Sequence, residues 1–281
     1  MALLELDGVT KAFGGLLAVA GVSFTLEEGE ILAMIGPNGA GKTTAFNCVT
    51  GLFPITKGDV RFDGSSIVGL PPHRITKLGV ARTFQNIRLF ALMTALDNVM
   101  VGAHWWMKER VWDGAFRTPL GRRTERLVED RAFELLRLLG LASYAGSYAR
   151  ELPYGLQRRL EIARALATRP RLLLLDEPAA GLNPQEKNEL MALIGRLRGE
   201  GLTIFLIEHD MRVVMGISDR IVVLDHGEKI TEGTPAEVRS NPRVIEAYLG
   251  KGAGDEAQPA DPGAQPAGAE PHSTAGETHP G

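Results

Sequence analysis

The run GPNGAGKT at residues 36–43 has the residue types and spacing needed to hold a chain of phosphates. Gly36, Gly39 and Gly41 let the backbone curl until successive N–H groups face one point, with Pro37, Asn38 and Ala40 filling the turn between them. Lys42 brings a full positive charge to the β- and γ-phosphates. Thr43, followed by Thr44, opens a helix and offers a hydroxyl to Mg²⁺, and the helix N-terminus adds partial positive charge. The chemistry is that of a nucleoside triphosphate, ATP, held with Mg²⁺. Context separates the run from a chance glycine turn: ILAMI (31–35) before it reads as a strand, and TTAFNCVTGLF after it as a helix ending at Gly51.

A second group lies in RLLLLDEP, 171–178, where a buried strand ends in Asp176 and then Glu177. A carboxylate at such a strand end reaches the neighbourhood of Mg²⁺ beside the phosphates. Glu177, one residue further on, is placed to polarise a water; a general base of this kind is worth about 10²–10⁴-fold in rate. An acid pair after an apolar run is by itself commonly an exposed turn, and the phosphate loop upstream in the same chain is what makes it catalytic.

The elements that must position these groups follow from pattern. VSFTL (22–26) and ILAMI flank a turn at 27–30 that contains Gly29, and GDVRFDG (58–64) is a short strand bounded by turn residues. RLLLL (171–175) and TIFLI (203–207) have buried-strand character, each followed by acid-bearing polar residues. Alternation of such strands with helices predicts a mainly parallel sheet. Residues 87–168 read as helical. Thr94 and Asp97 have capping-box spacing, and Val128, Ala132, Leu135, Leu136 and Leu139 share one face of a helix that stops at Gly140.

Composition narrows the class. With 44% hydrophobic and 23% charged residues the chain is ordinary globular protein, enough for one large α/β domain or two small ones. The formal net charge is −3, and the stretch 251–281 holds Asp255, Glu256, Asp261, Glu270 and Glu277 against Lys251 alone, so the remainder is close to neutral. That argues against a broad basic face for nucleic acid. The single cysteine, Cys48, rules out a disulfide framework and a cysteine metal site, and reads as a small buried hydrophobe. The first residues lack a signal-peptide pattern and no apolar run approaches the ~20 residues that span a bilayer. The expectation is a cytosolic protein whose membrane role comes through a partner. Residues 251–281 contain no Val, Ile, Leu, Met, Phe, Trp or Tyr and are expected to be disordered.

Further motifs occur in order along the chain: Phe13 in KAFGG, Gln85 in ARTFQN, the segment LPYGLQRRLEIARAL (152–166), AGLN (180–183) and His209 in LIEHD. Over residues 1–250 the chain resembles the nucleotide-binding domains of ABC transporters. The resemblance implies an α/β fold: a P-loop NTPase core with a mainly parallel sheet, an antiparallel β subdomain, and an α-helical subdomain inserted at roughly 87–168. It implies that Phe13 stacks on adenine, a position that would otherwise read as core packing. Gln85 contacts Mg²⁺ or water and senses the membrane partner, and His209 holds the γ-phosphate. The segment at 152–166 is the family's signature, presenting Gly155, Leu156 and Gln157 to the nucleotide of a second subunit. Asp176 joins Thr43 and Gln85 around the metal. The fullest similarity is to the ATP-binding subunits of branched-chain amino-acid importers, seen in ARTFQNIRLF, DEPAAGLNP, IEHDMRVVMGISDRI and RVIEAYLG.

Two departures stand out. The family's LSGGQ is here LPYGL, so Pro153 has neither hydroxyl nor N–H where a serine contacts the γ-phosphate. That hydrogen bond is worth about 1.5–3 kcal/mol, up to about a hundredfold, and the expectation is weakened contact rather than loss. Asn183, the last residue of AGLN, stands where the family usually has Asp, keeping an acceptor oxygen and losing a charge.

The partners implied are integral-membrane permease subunits at the cytoplasmic face of the inner membrane, a second ATPase subunit and, indirectly, a periplasmic solute-binding protein. The second subunit is a paralogue in the favoured reading and an identical copy in the other. Relatives for urea or other small solutes, the lipopolysaccharide-export ATPase, and a regulatory subunit without turnover are the neighbouring alternatives. A non-transport ATPase acting on nucleic acid or ribosomes is the alternative of another class. Against it stand the single GKT motif and the lack of a long heptad run between Gln85 and Leu152. Trp105, Trp106 and Trp112 all lie in the stretch 103–123. Trp105, Trp112 and Phe116 share one helical face, for internal packing or for docking a partner.

Overall fold

The computed structural model describes residues 2–103 and 119–249. Trp105, Trp106, Trp112, Phe116 and the stretch 251–281 lie outside them. In chain order the elements are β1 (Ala2–Phe13), β2 (Leu16–Glu27), β3 (Ile31–Ile35), α1 (Lys42–Val49), β4 (Lys57–Phe62), β5 (Ser65–Ser66), α2 (Pro72–Leu78) and β6 (Val80–Arg82). They continue with α3 (Ala95–Ala103), α4 (Pro119–Leu138), α5 (Tyr154–Leu166), β7 (Leu172–Asp176), α6 (Pro184–Gly199), β8 (Thr203–Ile207) and α7 (Met211–Ile217). Last come β9 (Arg220–Asp225), β10 (Glu228–Gly233), α8 (Pro235–Ser240) and α9 (Pro242–Leu249).

Two sheets carry the site. One is antiparallel, in the order β2-β1-β4-β5. The other has the order β10-β9-β3-β8-β7-β6 and is parallel except for the edge strand β10. Strands β3, β7 and β8 are buried along their whole length, which is why their sequences run apolar instead of alternating. Their side chains still alternate in direction. Ala33, Leu173, Leu175, Ile204 and Leu206 join one apolar cluster with the helices, while Leu32, Met34, Leu172, Leu174 and Phe205 join another with α1 and the antiparallel sheet. The parallel sheet is therefore the wall between two cores.

The α4 stripe is as the spacing predicts. Val128, Ala132, Leu135, Leu136 and Leu139 are all buried, and Gly140 follows in the left-handed region at φ 72°. Burying a leucine side chain contributes about 1.5–3 kcal/mol, so this one face secures α4. Thr94 and Asp97 form their reciprocal cap, with Asp97 N–H donating to Thr94 Oγ1 at 3.1 Å and Thr94 N–H to Asp97 at 3.3 Å. The helix after the phosphate loop stops at Val49, and Gly51 at φ 70° supplies the left-handed turn that ends it.

Residues 87–168 are not helical throughout. Between β6 and α3 the chain is irregular, and the buried side chain of Asn98 replaces a backbone ladder there. Its amide donates to the carbonyls of Phe90 and Thr94 at 3.1 and 2.9 Å, and its oxygen accepts from Phe90 N–H at 2.9 Å.

Candidate nucleotide site

The parallel pairing sets the site. Met34 of β3 and Asp176 of β7 both align with Ile207 of β8, so the three strands end together. The phosphate loop, the acid pair and the turn carrying His209 leave from one edge, the carboxyl ends of the strands, where open α/β sheets bind ligands.

Residues 36–41 form the loop and α1 opens at Lys42. Gly41 sits at φ 97°, and a Cβ on it would collide with the carbonyl oxygen of Ala18; one on Gly36 would collide with that of Leu224. Glycine is therefore needed at both positions for close backbone approach as well as for the turn. The Lys42 ammonium donates to the carbonyls of Gly36 at 2.7 Å and Pro37 at 2.9 Å, and the side chain is largely buried. Burial lowers its pKa below the usual lysine value, while the nearby carboxylates of Glu177 and Asp176 push it back up. Lysine and acids, far apart in sequence, thus converge.

Asp176 is buried and paired with Arg82 at 2.7 Å. The same guanidinium reaches Asn47 Oδ1 on α1 at 2.6 Å and Oγ1 of Thr50, the residue after that helix, at 3.3 Å. Arg82 therefore ties the aspartate to the helix that begins at the phosphate lysine. Sequence reasoning missed it; the signal was an arginine closing a short strand whose other residues are buried.

Glu177 holds a left-handed backbone at φ 46°, with its N–H on the carbonyl of Ile207 at 2.9 Å. Such a conformation costs a non-glycine residue about 1–3 kcal/mol and is tolerated where the surroundings over-determine it. Its carboxylate accepts from Gln85 Nε2 at 2.9 Å and lies 3.8 Å from His209 Nδ1. The latter distance is too long for a direct hydrogen bond. His209 is 62% exposed, open to a ligand. Its neighbour Glu208 is fully buried and accepts three backbone N–H groups: Ala179 at 2.7 Å, His209 at 3.0 Å and Asp210 at 3.2 Å. Glu208 was also missed, although an acid directly after the apolar strand TIFLI repeats the signal of Asp176 after RLLLL.

Phe13 ends β1 with its ring 43% exposed, set edge-on to Phe53 at 5.3 Å between centroids. The signature turn lies at the start of α5, with Pro153 as N-cap. Its carbonyl accepts the N–H groups of both Leu156 (2.9 Å) and Gln157 (3.0 Å). Of the three expected contact residues only Gly155 therefore has an amide left over at the helix start, together with its neighbour Tyr154. Asn183 caps α6, exchanging hydrogen bonds with Glu186 at 2.9 Å in both directions. Its acceptor oxygen is used within the chain.

Comparison with known proteins matches this arrangement. Residues 19–180 fit the family model described as ABC transporter, and residues 228–254 fit that described as branched-chain amino acid ATP-binding cassette transporter. The chain belongs to the ABC transporter family and is an ATP-binding ATPase of it. It is 53% identical over 250 residues to the high-affinity branched-chain amino acid transport ATP-binding protein BraF of Pseudomonas aeruginosa, covering 89% of this chain and 98% of that protein. It is 50% identical to LivG of Escherichia coli K12, described in the same words, with the same coverage. The ADP conformation of an ATP-binding cassette from an ABC transporter superposes with a TM-score of 0.78 at 32% identity, over 89% of this chain and all of that one. Among the described residues no helix is long and apolar enough to cross a membrane.

Proposed function

We propose that this chain hydrolyses Mg-ATP to power uptake of branched-chain amino acids, with Glu177 as general base. The observation that carries the base assignment is the Gln85–Glu177 contact of 2.9 Å beside Lys42 and within 3.8 Å of His209. The solute follows from the relatives' names and from the match over residues 228–254.

The donors fit Mg²⁺. Among the described residues no group of three or more His, Cys, Asp or Glu side chains forms a metal cage. Mg²⁺ takes few protein ligands and fills its octahedron with phosphate oxygens and water. Thr43 and Asp176 would supply the hydroxyl and the carboxylate, and Gln85, whose amide nitrogen is spent on Glu177, would have its amide oxygen left for the metal. When bound, the metal neutralises charge on the β- and γ-phosphates. Lys42 and the loop amides bind those phosphates, and Phe13 stacks on the base. Glu177 takes a proton from the attacking water, which His209 and Gln85 orient.

The amide of Gly155, which has no intrahelical acceptor at the helix start, serves the nucleotide of a second ATPase subunit, a paralogue or another copy, and closure of that pair drives two permease subunits. Such a complex sits at the cytoplasmic face of the inner membrane and receives its solute from a periplasmic binding protein. No role for nucleic acid is included.

Glu177→Gln tests the base. The variant should retain ATP, lose turnover by about 10²-fold or more, and fail to restore labelled leucine uptake in cells lacking the chain. Full ATPase activity in the variant overturns the base assignment. Unchanged leucine uptake in the deleted cells overturns the solute.

A further inference from the structure

Arg158 and Glu161 lie one turn apart on α5 and are 0% and 2% exposed, paired at 3.1 Å. Burial raises the pKa of Glu161, against the pull of the guanidinium. Taking two such charges out of water costs several kcal/mol each, and hydrophobic residues of the same shape are frequently as stable or more so. Stability alone is then a poor reason for the pair, and its contacts supply a better one.

The Arg158 fork donates to the carbonyls of Phe84 at 2.8 Å and Gln85 at 2.9 Å, besides Glu161 and the Tyr154 hydroxyl at 3.3 Å. Glu161 accepts the N–H groups of Phe84 at 3.4 Å and Arg88 at 3.3 Å. The backbone on both sides of Gln85 is thereby fastened to α5, the helix whose first turn carries Gly155. Gln85 in turn reaches Glu177 at 2.9 Å. An unbroken path of short contacts runs from the start of α5, through Arg158 and the backbone at 84–85, to the Glu177 carboxylate.

We propose that Arg158 and Glu161 are a positioning pair that sets Gln85 against Glu177, so that a displacement of the signature turn on binding the neighbouring subunit's nucleotide is transmitted to this subunit's own base. The pair touches neither nucleotide nor water; it acts by holding the Gln85 backbone. Lysine cannot replace Arg158, because a single ammonium lacks the planar fork that spans two successive carbonyls and a carboxylate. The proposal rests on the reading of Gln85 and Glu177 as the hydrolytic pair.

The test uses the full-length chain with Mg-ATP and three variants: Arg158→Met/Glu161→Leu, Arg158→Lys and Gln85→Ala, with the first and last also combined. Replacing both charges at once leaves no unpaired ion, but it strips the backbone groups at 84, 85 and 88 of these partners, so the double variant should melt below the parent. Its kcat should fall about tenfold to a hundredfold, the scale of a ~1 Å misplacement. Trinitrophenyl-ATP should bind within about threefold of the parent affinity, since the phosphate loop is untouched. Combined with Gln85→Ala, the double substitution should lower kcat no further, because both act through one side chain. Arg158→Lys should lose kcat in part.

A kcat within about threefold of the parent in the double variant, or in Arg158→Lys should the double variant not fold, overturns the proposal. So do losses that multiply with Gln85→Ala, the behaviour of independent structural damage. Full turnover in Gln85→Ala alone strikes the assignment of Gln85 and the coupling with it. Turnover lost there but intact in the double variant strikes the coupling only.

Discussion

The phosphate edge of the parallel sheet and the signature turn at the start of α5 are both nucleotide-facing in the proposed reading, but they are built differently. At the phosphate edge the chemistry lies in particular side chains: Lys42 at the start of α1, Asp176 closing β7 with Glu177 next to it, and His209 two residues past β8. At the signature turn the N-cap is Pro153, and what remains on offer is backbone, the N–H groups of Tyr154 and Gly155. A site made of side chains fails when one residue type changes. A site made of helix-start amides tolerates such change while the helix stays where it is, and the buried pair Arg158–Glu161 is what keeps it there relative to Gln85.

The largest effect is expected at the phosphate edge. Lys42→Ala removes the one full charge in the loop and should weaken ATP binding by about 10- to 100-fold, measured by titration with a fluorescent nucleotide. The parent should also show a pH dependence that the variant lacks. Only the protonated lysine binds phosphate, and burial lowers its pKa. Affinity therefore declines as pH rises through that pKa, beginning earlier than for an ordinary lysine at about 10.4. Affinity unchanged in Lys42→Ala would break the comparison outright, since the loop would then also be a purely backbone site.

An intermediate effect is expected at Glu208. Alanine there leaves three N–H groups, the buried one of Ala179 and the half-buried ones of His209 and Asp210, without this acceptor and should cost about 3 kcal/mol, or roughly 6–12 °C in melting temperature. Because two of those amides belong to His209 and Asp210, turnover should fall as well, about tenfold, the lower range for a displaced catalytic group. Gln at the same position keeps one acceptor oxygen, enough for His209 and Asp210, but sets its NH₂ against the Ala179 N–H, so it should recover only part of the stability. A variant that melts early yet turns over normally would show that Glu208 holds the fold and not His209.

Much of this was legible in the residues. The loop, the acid pair and the strands that carry them follow from apolar runs ending in glycine or acid, and the α4 face from its i, i+4, i+7 spacing. What stayed hidden is long-range side-chain pairing. Arg82, Arg158, Glu161 and Glu208 are charged residues, and charge in a sequence reads as surface. Their burial depends on partners 73–94 positions away for Arg82 with Asp176 and for Arg158 and Glu161 with residues 84–88, and 29 positions away for Glu208 with Ala179. No local pattern records such distances. The amides of Leu156 and Gln157 were likewise counted as open because a sequence does not show that a proline carbonyl takes both.

The smallest effect, and the one that most sharpens the contrast, is expected for Pro153→Ser. The substitution restores the hydroxyl that the family pattern places there, and a side-chain site would respond with up to a hundredfold gain. A serine at an N-cap has another use for its oxygen: it accepts the N–H of the second or third helical residue, here Gly155 or Leu156. Since Leu156 already donates to the carbonyl of residue 153, Gly155 is the free donor, and it is the very amide the nucleotide would need. The hydroxyl gained and the amide lost then offset each other. The expected outcome is a melting temperature higher by about 2–4 °C, the worth of one good cap, with kcat/KM changed by less than about threefold. A rise of tenfold or more would mean that recognition at this turn lives in the side chain at 153, and that the helix-start amides are not the site.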